Sequence, residues 1–279
     1  MEGSGAGPAS PGIPELELHL LLEAVYRVSG YDFREYAPAT LKRRIAERAR
    51  AEGTSTTTGL LERLLHDPGA MQRFIDGMIY NATSPFRDPQ FFRDFRERVL
   101  PRLRTFPHVR IWVIGSGDDA YALAILLREA ELYHRTRIYS TDAGDAAVDR
   151  AKTGAFAVEL LEEYEHRYRE AGGVKRFSGY VRRERGQAFY DAGLREQIVF
   201  ARHNLTTDGS FNEFHLVVAR NVLGHYNRGL AYRAHQVIFE SLVRLGFLGL
   251  SAKETLAYTP HQRAYQELEQ TEHFFRRMR

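Results

Sequence analysis

Apolar residues recur at helical spacing through the first hundred positions of the chain. The segments LHLLLEAVYRV, TLKRRIAERARAEG, TGLLERLLHDPG and MQRFIDGMIY each place apolar side chains three or four positions apart. The second segment predicts a helix that begins at a Thr40 N-cap and ends at Gly53. NATSPFRDP interrupts this spacing, and a further helix is expected over residues 90–100. We therefore predict a Gly-, Pro- and Ser-rich flexible tail at residues 1–13 and an all-helical N-terminal domain with its linker at 14–89.

The pattern changes after Arg102, where short apolar runs alternate with helical segments. The runs are RIWVIG, RIYST, IVFARHN, HLVVARNVL and FLGLSA, and TEHFFRRMR is expected to form the last strand. Such alternation predicts an α/β domain over residues 90–279, with a largely parallel sheet covered by helices on both faces. Residues 155–196 fit neither pattern. They begin as a helix and continue as short segments with glycine breaks, which predicts a small inserted β-subdomain.

Composition excludes several kinds of chemistry. The chain has no cysteine, so disulfides, thiolate metal sites and thiol nucleophiles are ruled out; no metal site is expected. No apolar run approaches the ~18 residues of a membrane span, and the N-terminus lacks the features of a signal peptide, so we expect a cytoplasmic protein without membrane insertion. The net charge of +3 is too small to indicate a nucleic-acid partner without a concentrated basic patch.

Glycine or polar residues follow four of the predicted strands. They are the Gly115-Ser116-Gly117 turn, Asp142, Asn204 and the Arg220-Asn221 pair. In an open α/β sheet, ligands bind at the carboxyl ends of the strands, and an acid after the second strand can accept both hydroxyls of a ribose. Each residue also has a purely structural interpretation, as a tight turn or a helix cap. Together they favour a nucleoside-containing ligand, which a redox dinucleotide or a methyl donor would both satisfy.

The segment between the two predicted domains distinguishes between a redox dinucleotide and a methyl donor as the ligand. Residues 81–89, Asn-Ala-Thr-Ser-Pro-Phe-Arg-Asp-Pro, are followed along the chain by TDAGDAAVDRAKTGAF, HNL, RNVLGHYN and LGFLGLSAKE. With SGYDFREY and TLKRRI near the start, this order of motifs resembles the chemotaxis receptor methyltransferases, the CheR family. The resemblance runs from about residue 16 to the C-terminus.

The resemblance implies a Rossmann-like methyltransferase domain that uses S-adenosylmethionine to esterify glutamates of a chemoreceptor or a related signalling protein. It implies catalytic roles for Arg87, which could orient the acceptor carboxylate, and for His225, which stands where the family has a tyrosine near the transferred methyl. It also implies that a basic helix meets the receptor, through Lys42, Arg43, Arg44 and Arg48. The implied cofactor-binding residues are Asn81, Thr83, Arg87, Asp119, Asp142, Asn204, Leu205, Ala219 and Arg220.

Several positions depart from the family pattern, and they leave alternatives open. Asp119 replaces a glutamate, His225 a tyrosine and Ala219 a cysteine, while Ala252-Lys253-Glu254 stands for a terminal His-Ser-Glu. A catalytically degenerate module that binds S-adenosylmethionine, S-adenosylhomocysteine or another nucleotide for regulation or scaffolding is therefore a second hypothesis. A nucleic-acid methyltransferase is a third, but the chain lacks an Asp/Asn-Pro-Pro-Tyr motif at the fourth strand end.

Arg87 and the basic helix also have interpretations that involve no substrate or partner. Arg87 could form an ion pair with Asp88 or Asp94 instead of meeting a substrate. The basic helix could be a solvated face whose apolar residues pack inward, as amphipathic helices do.

Overall fold

The protein consists of two compact units, the first ending at Met78 and the second beginning at Ile79. The structure, a computed structural model, describes residues 13–29, 31–34, 36–79, 84–115, 117–257, 259–271 and 273–279, without the side chains of residues 13 and 79. The Phe86 and Phe91 side chains belong to the core of the second unit, and the predicted domain bounds, 14–89 with the linker and 90–279, stay a prediction. The predicted N-terminal tail lies almost wholly outside the described residues.

The first unit is helical, as the spacing of its apolar residues predicts. Leu21, Leu60 and Phe74 come from three different helices and are completely buried. The second helix begins at Pro38 after an Ala37 N-cap, so the predicted start at Thr40 is wrong. Proline is favoured in the first helical turn, because its fixed φ suits a helix and its missing N–H needs no partner there. The helices are α1 (Ile13–Ser29), α2 (Pro38–Ala51), α3 (Thr57–His66) and α4 (Pro68–Ile79).

The second unit is built on a seven-stranded sheet with the order β6-β2-β1-β7-β8-β10-β9. Strands β6, β2, β1, β7 and β8 are mutually parallel, whereas β10 runs antiparallel between β8 and β9. The strands are β1 (Val109–Ile114), β2 (Thr136–Asp142), β3 (Ala155–Ala157), β4 (Val181–Glu184), β5 (Gln187–Tyr190), β6 (Ile198–Arg202), β7 (Phe214–Val218), β8 (Leu242–Gly249), β9 (Tyr265–Glu267) and β10 (Phe274–Arg277).

Helices cover both faces of this sheet. Alternate residues of β1 belong to different buried clusters, Ile111 to one and Trp112 to the other, because successive strand side chains point to opposite faces. The helices are α5 (Pro89–Asp94), continued by a π-helical segment (Phe95–Val99) and α6 (Leu100–Leu103), then α7 (Gly117–Glu129), α8 (Asp145–Thr153), α9 (Leu161–Glu170) and α10 (Arg228–Ser241). This arrangement confirms the predicted α/β class.

The segment predicted as an insertion forms a separate antiparallel sheet with the order β3-β5-β4. Its strands pair through Ala155 with Phe189 and through Val181 with Tyr190. The predicted last strand is β10. Within the described ranges, no helix is long and apolar enough to cross a membrane.

Candidate functional site

The strand order places one crevice at the carboxyl edge of the sheet. Strand β2 lies next to β1 on one side, and β7 lies next to β1 on the other side. The direction in which successive strands are added to the sheet therefore reverses between β1 and β7. Ligands of open α/β sheets bind at such a switch point. Gly115 follows β1, Asp142 ends β2 and Arg220 follows β7 shortly after its last residue. The predicted strand-end residues therefore converge on one edge.

A cavity of about 320 Å³ opens beside the turn after β1. Gly115 has a φ of +71°, which an L side chain would disfavour. At Gly117, a Cβ atom would lie 2.6 Å from the Ala151 Cβ, so this glycine is required for the close approach of α7 and α8. The cavity is lined by Gly115, Gly117, Asp118, Tyr121, Asp142, Ala147, Arg150, Ala151, Gly154, Ala155, Phe156, Ala157, Leu160, Tyr164 and Tyr190.

Asp142 is the acidic group at the end of β2, as predicted, and it lines this cavity. Its Oδ1 accepts a hydrogen bond from the Gly144 amide at 3.0 Å. Desolvation raises the pKa of Asp142 to about 6, because burial disfavours the charged form more than the backbone hydrogen bonds favour it. A ligand that donates hydrogen bonds to the ionised carboxylate would relieve part of this cost.

Asp118 and Tyr190 are cavity residues that the sequence did not single out. The Tyr190 hydroxyl lies 3.2 Å from Asp118 Oδ1, and its ring stacks on Tyr121 with centroids 3.9 Å apart. Burial raises the pKa of Tyr190, so its hydroxyl remains a donor at neutral pH. The acidic pair at the start of α7 was a signal for Asp118. No sequence signal placed Tyr190 there, because it comes from the β-subdomain.

Asp119 points away from this cavity lining and into the protein. Its Oδ1 lies 2.9 Å from Arg220 Nη1, and both side chains are over nine-tenths buried. Burial raises the pKa of Asp119, and the Arg220 charge opposes that rise. The Arg220 guanidinium also lies over the Phe91 ring at 4.3 Å. This pair therefore positions neighbouring segments, and the predicted direct contact of Asp119 and Arg220 with a cofactor stays a prediction.

The loop that carries Arg87 is held by Arg220. Arg220 Nη2 donates to the Arg87 carbonyl oxygen and lies 3.5 Å from Asp88 Oδ2. Phe86 and Asp88 have φ values of +55° and +62°, which side-chain-bearing residues rarely adopt. Strain of this kind persists where the surroundings fix the backbone, and it clusters at functional sites. Arg87 itself is exposed between the two strained residues.

Asn81 and Thr83, the other candidates from this motif, lie outside the described residues. The remaining strand-end candidates have local roles in the fold. The Asn204 Oδ1 accepts hydrogen bonds from the Thr206 amide and hydroxyl at 3.0 and 2.7 Å. Leu205 and Ala219 are buried in the cluster that contains Trp112. These three residues border the carboxyl ends of β6 and β7 but do not contribute to the described cavity lining.

His225 belongs to a short 3₁₀ turn after β7, and it is partly exposed. Glu254 fixes the backbone segment that precedes His225. The Glu254 carboxylate accepts hydrogen bonds from the amides of Asn221 and Leu223, both at 2.9 Å, and from the amide of Gly224 at 3.3 Å. Ser251 donates to it from its hydroxyl at 2.8 Å. Glu254 was noted only as part of an altered motif, and its role depends on a contact across about thirty residues of sequence.

The basic residues of α2 do not share one environment. Lys42 and Arg43 are exposed and Arg48 is partly exposed. Arg44 is buried, and its guanidinium donates to the Met78 carbonyl within the first unit. Arg44 is therefore not part of the exposed surface of α2, and the predicted receptor contact of Lys42, Arg43 and Arg48 stays a prediction.

Comparison with known proteins identifies the same two units. Residues 16–79 match the family model of the CheR methyltransferase all-alpha domain, and residues 81–274 match the CheR methyltransferase SAM binding domain. The Cher3 protein of Pseudomonas putida KT2440 is 40% identical over 265 residues, covering 94% of this chain and 97% of that protein. A chemotaxis protein methyltransferase of Listeria monocytogenes is 28% identical over 250 residues, covering 88% of this chain and 92% of the relative.

The cofactor of this domain is S-adenosylmethionine. The cavity fits such a group, because it combines a glycine turn that lets backbone approach closely with a carboxylate at the end of β2 that can accept the hydroxyls of a ribose.

Proposed function

Since the chain belongs to the CheR methyltransferase family, and both of its units match domains of that family, we propose that it methylates glutamate carboxylates of a chemoreceptor or a related signalling protein. The observation that carries this proposal is the cavity where Asp142 and the glycine turn meet at the carboxyl edge of the sheet. The names of its relatives in Listeria and in Pseudomonas aeruginosa, chemotaxis protein methyltransferases, support the choice of acceptor.

Asp142 and the turn at Gly115 would hold the adenosyl part of S-adenosylmethionine. Bound there, the cofactor supplies a methyl group on a sulfonium, which an ionised carboxylate accepts without loss of a proton. A glutamate with a pKa of ~4.3 is already ionised at neutral pH. The protein therefore needs no strong base, and positioning of the acceptor can supply much of the rate.

Arg87 would orient the acceptor. Its guanidinium can bind both oxygens of a carboxylate at once. Its side chain is exposed, and it belongs to a loop that Arg220 anchors through the Arg87 carbonyl oxygen. His225 would line the same region, on the segment that Glu254 holds. Its imidazole can offer a hydrogen bond to the acceptor in either neutral tautomer.

Lys42, Arg43 and Arg48 would attract the acidic methylation region of the receptor. Their side chains are exposed or partly exposed on α2, and surface charge of one sign speeds the encounter with a partner of opposite charge. Arg44 is left out of this surface, since it is buried.

Two measurements on the full chain test the proposal. Calorimetry should detect binding of S-adenosylmethionine and S-adenosylhomocysteine, and a labelled-methyl assay on soluble chemoreceptor fragments should give product that releases methanol in base. If both ligands bind but no candidate receptor is methylated, the hypothesis of a regulatory module without turnover replaces this one. If neither ligand binds at high micromolar concentration, the assignment of the cavity is wrong.

A further inference from the structure

The loop that carries Arg87 contacts a helix of the inserted segment. We call residues 84–88 the Arg87 loop. The helix is α9, which belongs to the same stretch of chain as the small antiparallel sheet. The Arg167 guanidinium of α9 donates through Nη1 to the hydroxyl oxygen of Ser84, the first residue of the loop. The insertion therefore holds one end of the loop, while Arg220 holds the other.

Ser84 connects this contact directly to Arg87. The Ser84 carbonyl oxygen accepts a hydrogen bond from the Arg87 amide at 3.3 Å, which closes a tight turn. The second terminal nitrogen of the Arg167 guanidinium, Nη2, pairs with Glu163 one helical turn earlier, and the Arg167 side chain is only 28% exposed. A single, partly shielded guanidinium thus joins α9 to the turn that ends at Arg87.

The Phe86 ring makes a second contact between the loop and α9. Phe86 is completely buried, and its ring packs edge-on against Tyr168 and Phe92, with ring centroids 5.3 and 5.0 Å away. The Tyr168 ring is fixed in turn. Its hydroxyl donates to Glu129, and a Cβ atom at Gly173 would lie 2.4 Å from its Cζ. The Phe86 ring therefore packs against a wall that has little room to move.

These contacts explain how the loop keeps an unfavourable backbone. Phe86 and Asp88, on either side of Arg87, both have positive φ values, and such residues persist only where the surroundings fix them. Burial fixes Phe86, and Arg220 binds the Arg87 carbonyl oxygen. The contact of Arg167 fixes the start of the turn. Without it, we expect the strained backbone to relax and the Arg87 side chain to change direction.

We propose that Arg167 is a positioning residue for Arg87, which holds the loop so that the Arg87 guanidinium meets the acceptor carboxylate. This inference rests on the proposed function, in which Arg87 orients the acceptor. Arg167 acts through Ser84, and neither residue contributes to the described lining of the cofactor cavity. A displacement of about 1 Å in a group that orients a substrate can cost on the order of a hundredfold in rate. Loss of the Arg167 contact should therefore lower turnover without weakening donor binding.

Hydrogen exchange of the full chain, measured without any methyl donor, tests whether Arg167 holds the loop. Mass spectrometry of a peptide covering residues 84–92 follows the Arg87 amide. Arg167→Ala should make this amide exchange at least about fivefold faster, because the turn loses a hydrogen bond from a charged group. Arg169→Ala is the matched control, since Arg169 forms the same i,i+4 type of ion pair, with Glu165, but is 63% exposed. Equal exchange in both variants and the unsubstituted protein would overturn the proposal.

Methyl-transfer kinetics test whether the contact matters for the reaction. In Arg167→Ala, kcat should fall about tenfold or more while S-adenosylhomocysteine affinity stays within about twofold, as expected for a misplaced orienting group. Arg167→Lys keeps a cation that can donate to the Ser84 hydroxyl, so it should recover part of the rate. Arg169→Ala should behave as the unsubstituted protein. A parallel loss of kcat and donor affinity would indicate a general disturbance of the unit and would overturn the positioning role.

A double-mutant cycle shows whether Arg167 acts through Arg87. In the Arg87→Ala background the guanidinium to be positioned is absent, so Arg167→Ala should change kcat/KM by less than about twofold. Effects that multiply would show that Arg167 acts elsewhere, and they would overturn the proposal. Ser84→Ala removes the acceptor of the same hydrogen bond and should reproduce the effects of Arg167→Ala. It takes the place of that variant if Arg167→Ala does not fold.

Failure of this inference can be told apart from failure of the proposed function. If the unsubstituted protein transfers no methyl group to any candidate receptor, the proposed function fails and the role of Arg167 in the reaction fails with it. Exchange at the Arg87 amide still decides whether Arg167 holds the loop. If methyl transfer occurs but Arg167→Ala changes neither exchange nor kcat, the proposed function stands and the inference is wrong.

Discussion

The Nη1 atom of Arg220 lies 2.9 Å from Oδ1 of Asp119, in a pair that is almost completely buried. Removing one partner of such a pair leaves a buried charge without compensation, which costs about 3–5 kcal/mol. We expect Asp119→Asn to lower the free energy of unfolding of the second unit by that amount. Urea unfolding followed by Trp112 fluorescence reports this unit selectively, because Trp112 is the single tryptophan of the chain.

Asp149→Asn is the matched control for this variant. Asp149 pairs with Lys152 on the surface, with 73% of its side chain exposed, and such pairs contribute about 0–1 kcal/mol. Equal losses of stability in the two variants would contradict the importance assigned to the buried pair.

Donor binding should depend on pH through Asp142. Its pKa of about 6 in the free protein means that the carboxylate is ionised at pH 7.5 and largely protonated at pH 5. The ribose hydroxyls donate to the ionised form, so affinity for S-adenosylhomocysteine should fall as the pH drops through 6. Calorimetry between pH 5 and 8 measures this change, and proton release on binding near pH 6 should accompany it.

The Asp142→Asn variant separates this role from a structural one. Its donor affinity should be at least about tenfold lower and nearly independent of pH, since a charge-assisted hydrogen bond is lost. The substitution should not lower the stability of the folded state. A raised carboxyl pKa means that ionisation of Asp142 destabilises the folded state above pH 6, so the variant should be at least as stable at pH 7. Asp145→Asn, at an exposed position, should change neither property.

Glu254 should affect turnover more than donor binding. In Glu254→Gln, an amide NH₂ would replace one oxygen that accepts the backbone N–H groups of the segment preceding His225. We expect kcat for methyl transfer to fall on the order of tenfold to a hundredfold, as for a displaced reacting group, with little change in S-adenosylhomocysteine affinity. Lys253→Gln, at the exposed neighbouring position, serves as control. A drop confined to donor affinity would refute this positioning role.

Substitution of the Arg87 side chain keeps the backbone contact of its loop, because Arg220 donates to the Arg87 carbonyl oxygen. Arg87→Ala should lower kcat/KM for the receptor by about a hundredfold or more, as for other groups that bind developing or reacting charge. Arg87→Lys should recover only part of the activity, because lysine lacks the two-pronged donor geometry. The exposed Arg102→Ala substitution should be neutral. Intact base-labile methylation in Arg87→Ala would show that this role is wrong.

Substitution of two adjacent arginines of the basic helix α2 is expected to have different effects, one on receptor binding and the other on stability. Arg43→Ala should raise KM for the receptor several-fold without loss of stability, and the effect should shrink at high salt because exposed charges are screened. Arg44→Ala should instead destabilise the first unit by about 1–3 kcal/mol, since the Met78 carbonyl loses its donor. Thermal unfolding followed by far-ultraviolet circular dichroism, together with receptor titrations, distinguishes the two variants. A larger KM effect at Arg44 would contradict this division.

The sequence by itself determined the helical first unit, the alternating second unit and the β-insertion, because these depend on the local periodicity of apolar residues. It also determined Asp142 as the strand-end acid, since that position follows directly from the end of an apolar run. The start of α2 was misplaced, because Pro38 and Thr40 both favour helix starts and only the packed chain selects between them.

Only the tertiary structure decided which polar side chains face a cavity and which face the protein interior. Asp118 and Asp119 are neighbours in sequence, yet one lines the cavity and the other is buried against Arg220. The same holds for Arg43 and Arg44. Adjacent helical residues point about 100° apart, so their partners depend on segments far away in the chain, such as Tyr190, Arg220 and Met78. Periodicity shows which face of a helix is apolar, but it does not show what lies opposite each polar residue.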